Sequence, residues 1–84
     1  MRVNSKFKIE MLNGQNVIID CDNNVYSAVD FSEIKMFLWQ LSLGREITKQ
    51  QMLDAILNKF EISTVLALGE IDDFIRKLKE YGII

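Results

Sequence analysis

Roughly the last three-fifths of this chain spell out three helices with only short gaps between them, and that spacing leaves few ways to fold. Phe31 to Leu43 is an apolar run that closes on Gly44. Thr48 to Phe60 is amphipathic, and a third pattern runs from Thr64 to Tyr81 before Gly82. Links this short predict helices that are neighbours in space. The expected helical spans are residues 31–43, 48–60 and 64–81.

Each span carries its own punctuation. Asp30 stands three residues before Glu33, a capping arrangement that would open the first helix. Gly44 supplies a residue free to take the left-handed conformation at its end. Thr48 with Gln51 forms a second capping box, and Ser63 caps the third helix. Gly82 ends it. Gly69 lies inside the third helix and costs roughly 1 kcal/mol relative to Ala.

The apolar stripes predict the packing. In the first helix Ile34, Phe37, Leu38 and Leu41 share one face, while Met36, Trp39 and Leu43 lie nearly opposite. A helix apolar on two sides is expected to be central and covered on both. The other use of the second face is contact with a partner or a homodimer. Met52, Leu53, Ile56, Leu57 and Phe60 form the stripe of the second helix. Ala67, Leu68, Ile71, Phe74, Ile75 and Leu78 form that of the third. On the third helix, acids gather early and bases late, which suits the helix dipole and predicts the pairs Asp72–Arg76 and Asp73–Lys77.

Before the helices the period changes to two. Phe7, Ile9 and Met11 alternate with Lys8 and Glu10, and Asn13-Gly14 is the strongest two-residue hairpin signal. Val17 and Ile19 share a face in the returning strand. Asp22-Asn23-Asn24 marks a second turn, and Val25, Ser27 and Val29 alternate with Tyr26 and Ala28. The expectation is a meander of three short antiparallel strands, about 6–12, 15–20 and 25–29. The fold class is therefore α+β, a three-stranded antiparallel meander followed by three helices in a winged-helix-like arrangement. The 84 residues make one domain, 1–84.

Composition narrows the chemistry. Apolar residues at 49%, with no proline, describe a globular chain and not a disordered one. Ten Lys and Arg against twelve Asp and Glu give a net charge of −2, which argues against nucleic acid as partner. With no histidine, the commonest general base and metal ligand is missing. No nucleophile–base cluster replaces it, so neither an enzyme, a cofactor nor a metal is expected. The single cysteine, Cys21, cannot form an intrachain disulfide and reads as a small residue at a strand end. This fits a reducing, cytoplasmic setting. No apolar run is long enough to span a membrane, and Met1 to Lys6 lack the apolar core of a signal peptide.

Taken together, Phe37-Leu38-Trp39, Gly44, Thr48 with Met52-Leu53, Phe60, the block Ile71-x-x-Phe74-Ile75-x-x-Leu78 and the ending Gly82-Ile83-Ile84 resemble the PqqD family. Asp20 and Val25-Tyr26 stand where that family has the end of its second strand and its third strand. The chain departs from the family where Glu70 replaces the usual Asp and where Gln51 replaces an acidic residue. Members are precursor-peptide recognition elements in the making of ribosomally synthesised, post-translationally modified peptides.

The resemblance implies a non-catalytic module. The leader segment of a precursor peptide would add as an extra strand to the third strand, in a groove beside the third helix. The partner would be a modifying enzyme, a radical S-adenosylmethionine enzyme in the founding case and proteases or cyclases elsewhere. The residues expected to bind peptide are Val25, Tyr26, Ser27, Ala28 and Val29 on the strand, with Leu68, Ile71, Asp72, Ile75, Arg76 and Lys79 on the helix. The strand itself supports this, because Val25 to Val29 contain neither proline nor charge to protect an edge. Proline at Ser27 is the substitution expected to block it. About five or six strand hydrogen bonds at a net of ~1 kcal/mol each, less ~2–5 kcal/mol for ordering the leader, fall short of the ~8 kcal/mol that micromolar binding needs. Apolar anchors must fill the gap. The alternative is a winged-helix nucleic-acid-binding regulator, with the third helix in the major groove.

Overall fold

The computed structural model describes residues 1–84. The chain forms β1 (Lys8–Leu12), β2 (Gln15–Ile19) and β3 (Val25–Ala28), then α1 (Glu33–Ser42), α2 (Lys49–Lys59) and α3 (Thr64–Glu80). The strands make one antiparallel sheet in the order β1-β2-β3. The α+β arrangement is the one read from the sequence, and each element end falls within two residues of its expected place.

Turn chemistry sets the sheet. Asn13 and Gly14 both adopt positive φ, 53° and 79°, and close a two-residue turn with Leu12 opposite Gln15. Asn23 takes φ 63° in the second turn. Asp20 organises that turn from below. Its Oδ1 accepts from the backbone N–H groups of Asp22 and Asn24, and its Oδ2 from the Asn24 amide and the Tyr26 hydroxyl.

Caps set the helices. Thr48 and Gln51 form the reciprocal capping box, and Ser63 Oγ accepts from the N–H of Leu66. At the far end of α3, Gly82 N–H donates to the carbonyl of Lys79 and Ile83 N–H to that of Leu78, with Gly82 at φ 75°. Those two bonds, with Leu78 and Ile83 both buried, are the Schellman arrangement. The start of α1 differs from expectation. Ser32 is its cap, accepting from Lys35 N–H, so Asp30 and Glu33 do not form a box. The extended stretch before Ser32 brings Phe31 edge-on to Phe74, with ring centroids 5.7 Å apart.

One contiguous core joins the sheet to the helices. Phe7, Ile18 and Val29 meet Leu38, Trp39, Met52, Ile56, Ile71, Phe74 and Leu78. The α1 stripe is placed differently from the sequence reading, whereas Val17 and Ile19 share a face of β2 as read. On α1 the buried positions are Lys35, Leu38, Trp39 and Ser42, so polar residues occupy half of that stripe. Ser42 fits because its hydroxyl donates to the carbonyl of Leu38. Trp39 is buried in the core, which leaves no Met36–Trp39–Leu43 surface for a partner. On β2 it is Ile18 that joins the helical core, whereas Val17 and Ile19 are buried on the other face.

The first residues close the fold from outside. Val3, fully buried, pairs with Leu43 in a parallel bridge and accepts from Gly44 N–H. The α-amino group of Met1 contacts Glu46 and donates to the Ile47 carbonyl. No helix is long and apolar enough to cross a membrane.

Candidate functional site

β3 is an edge of the sheet, paired to β2 on one side only. Which of its backbone groups face outward follows from the ladder. Val29 N–H donates to Asn16 carbonyl at 2.9 Å, so the alternation of an antiparallel pair also commits Ser27 to its partner Ile18. Ala28, between them, presents its N–H to the open margin, together with a carbonyl that also accepts from the Ser27 hydroxyl at 2.9 Å. Proline at Ser27 would therefore break the protein's own sheet, and Ala28 is the position that tests the margin alone.

The strand is not regular throughout. Ile18 faces Ser27 but Ile19 faces Val25, so Tyr26 is the extra residue of a β-bulge. The bulge overrides the alternation expected of Tyr26. Its ring packs edge-on against Phe7 at 4.9 Å between centroids, and its hydroxyl reaches Asp20. Tyr26 is thus largely engaged within the molecule, although 38% of it stays exposed. Those contacts hold the Asp20 carboxyl below its usual range. The Asn24 backbone N–H contributes most, ahead of a burial penalty that opposes it, and the Asn24 amide, the Asp22 N–H and the Tyr26 hydroxyl add to it.

The apolar surface beside this margin lies on the outer face of the sheet. Val25 is 58% exposed and stands opposite Ile19, and Ala28, also exposed, stands opposite Val17. No Cα of β3 comes within 8 Å of a Cα of α3. The two clefts of the surface are elsewhere. One, of about 390 Å³, is lined by Lys35, Ile62, Val65, Leu66, Gly69, Glu70 and Asp73. The other, of about 220 Å³, lies at Glu33, Met36, Phe37, Gln40, Lys59 and Phe60. Neither includes a β3 residue.

The α3 residues of the expected site divide three ways. Ile71, like Val29, is a core residue and has no surface to offer. Leu68, Asp72, Ile75 and Lys79 recur at helical spacing on the flank that faces α2, where Lys49 Nζ lies 2.5 Å from Asp72. Asp72 is therefore paired with Lys49 and not with Arg76. Arg76 instead joins Asp73 and Glu80. The chain leaving β3 meets α3 on the opposite flank, through Phe31 on Phe74 and Ser32 Oγ on Glu70 at 3.2 Å.

That second flank holds the most connected charges in the molecule. Lys35 Nζ sits 2.8 Å from Glu70 and 3.1 Å from Asp73, and Lys77 lies 3.3 Å from Asp73 as the sequence predicts. Burial disfavours the Lys35 ammonium, but Glu70 and Asp73 more than offset it and its pKa is raised. Lys35, with Arg76 and Lys77, holds the Asp73 carboxyl down to about 2 despite some desolvation. The sequence reading missed this cluster, since it gave Lys35 no role. The signal was there in its spacing, since Lys35 falls i, i+3, i+4 with Leu38 and Trp39. Arg76 and Lys77 are both engaged by acids on α3.

Asp, Glu and Cys side chains form no cluster able to hold a metal ion, and Cys21 is a free thiol exposed just past β2. No family model, curated protein or solved structure matches this chain.

Proposed function

We propose that this protein is a non-catalytic, cytoplasmic peptide-binding module that holds the leader of a ribosomal precursor peptide by strand addition to β3 and presents it to a modifying enzyme. The observation that carries this reading is the unpaired β3 margin, uncharged and free of proline, with exposed Val25 and Ala28 beside it. The order of three strands then three helices, and the residues shared with the PqqD pattern, support it.

The geometry modifies the mechanism. A four-residue strand with a bulge offers a guest about three or four backbone hydrogen bonds, worth ~1 kcal/mol each. Side-chain anchors then carry most of the affinity. Their natural seat is the outer face, where guest side chains extend the apolar row of Val17, Ile19, Val25 and Ala28. A leader that binds here alternates apolar residues on that face. Tethering it raises the local concentration of the attached core peptide at the enzyme's active site, so modest affinity suffices.

Ala28→Pro tests the reading. It removes only an outward N–H, and Ser27 before it already has the extended conformation that proline requires of its predecessor. Titration against a fluorescent synthetic peptide that alternates apolar residues should show at least about tenfold weaker binding with helical content unchanged. Undiminished affinity of the folded variant contradicts strand addition.

A further inference from the structure

The sheet has a second open margin, on β1, and its charge pattern is self-complementary. Asn13-Gly14 closes a two-residue turn, so Leu12 exchanges backbone hydrogen bonds with Gln15. The alternation of the ladder then commits Glu10 and Lys8 to β2 as well. The backbone groups of Ile9 and Met11 face solvent, while Phe7 N–H donates to Asn4 carbonyl. β1 pairs with β2 on one side only, so its other edge has no strand partner in the chain.

A second copy of β1 can pair antiparallel only in registers that set outward-facing residues against each other. Centring the two-fold axis on Lys8 opposes two lysines across it. Centring it on Glu10 opposes two glutamates. Both are disfavoured, since like charges directly across strands repel. Centring it on Ile9 opposes Lys8 to Glu10 of the partner subunit, twice by symmetry. The same register places Met11 beside the backbone of Phe7 of the partner subunit; within each chain the Phe7 ring stays buried against Tyr26. Met11 is 65% exposed in the monomer. Within one chain Lys8 and Glu10 pair with each other at 3.0 Å, on the face where the partner's charges would arrive.

We propose that β1 pairs with β1 of a second copy about a two-fold axis at Ile9. This isologous contact joins two sheets into one of six strands, ordered β3-β2-β1-β1-β2-β3. Both β3 margins end up at the outer limits of the joined sheet and stay free. Only the register centred on Ile9 sets opposite charges of β1 against each other, whereas one centred on Met11 leaves Glu10 opposite Leu12, and the short strand makes the dimer a weak one.

Charge reversal tests register and partner together. Lys8 and Glu10 are about half exposed, at 54% and 53%, so reversal leaves the core untouched. In analytical ultracentrifugation from micromolar to millimolar protein, the wild-type chain should self-associate to a dimer. Lys8→Glu alone and Glu10→Lys alone should each weaken that association by roughly tenfold or more, because each puts like charges across the axis. Mixing the two variants should restore it, since the glutamate introduced in one variant then meets the lysine introduced in the other. The double variant Lys8→Glu/Glu10→Lys should associate like wild type. A wild type that stays monomeric throughout, single variants that associate as wild type does, or a mixture that remains monomeric would each overturn the proposal.

Discussion

Asp20 shows how one side chain can hold a strand pair in place. Its two carboxylate oxygens accept four hydrogen bonds, tying the turn before β3 to Tyr26 within it. All four favour the ionised form, and so the folded state lowers its pKa. Asp73 is lowered to about 2 by Lys35 and its basic neighbours. A carboxylate with a depressed folded pKa stabilises the native state at pH above its unfolded value near 3.8, and that contribution is lost as pH falls through the folded value. Urea midpoints should therefore hold steady down to about pH 5 and decline between there and pH 2. Asp20→Asn should flatten part of that decline and lower the midpoint at neutral pH, because an amide nitrogen cannot accept from Tyr26 or Asn24. Asp20→Ala should lower it further. An acid limb unchanged in Asp20→Asn would remove Asp20 from this role. The sequence marked Asp22-Asn23-Asn24 as a turn, but nothing in composition or period shows which residue hydrogen-bonds across it. That depends on the bulge at Tyr26, a tertiary outcome.

At the scale of elements, caps and turns proved the most legible features because each is a local contract between neighbouring residues. Thr48–Gln51, Ser63, Asn13-Gly14 and Gly82 behave as their chemistry requires. Asp30 failed as a cap because Phe31 has a distant destination, the ring of Phe74. The face of α1 was misread for a similar reason. Lys35 and Ser42 complete its buried stripe only because Glu70, Asp73 and the Leu38 carbonyl meet them there. The glycines in and just after α3 give a paired test. Gly69 has helical φ, and a Cβ built on it meets nothing within 4 Å. Gly69→Ala should raise stability by ~0.5–1 kcal/mol through helix propensity and lost unfolded-state freedom. Gly82 has φ 75°, so Gly82→Ala should lower stability by about 1 kcal/mol, although space is equally open there. Thermal or urea denaturation of both variants reads the two signs. A shift of the same sign in both would mean that backbone conformation is not what distinguishes them.

For the whole molecule, sheet and helices share a core, yet both margins of the sheet lack a strand partner. Val3, fully buried against the α1–α2 corner, completes this closure, and a lone apolar residue near the N-terminus carries no periodic signal for it. The candidate site was legible as an edge strand with low charge. Its surroundings were not, since the side of β3 that carries exposed apolar surface depends on which face of β2 the helices take. They take Ile18, so Val25 and Ala28 border the open face and the α3 residues fall away from the site. One measurement addresses strand addition most directly. In ¹H–¹⁵N correlation spectra of the labelled protein titrated with a synthetic peptide that alternates apolar residues, the largest shifts should fall on the amides of Val25 to Ala28, with Ala28 N–H gaining protection from hydrogen exchange. Binding that leaves those amides in place and moves instead the residues around Lys35, Leu66 and Gly69 would contradict the account.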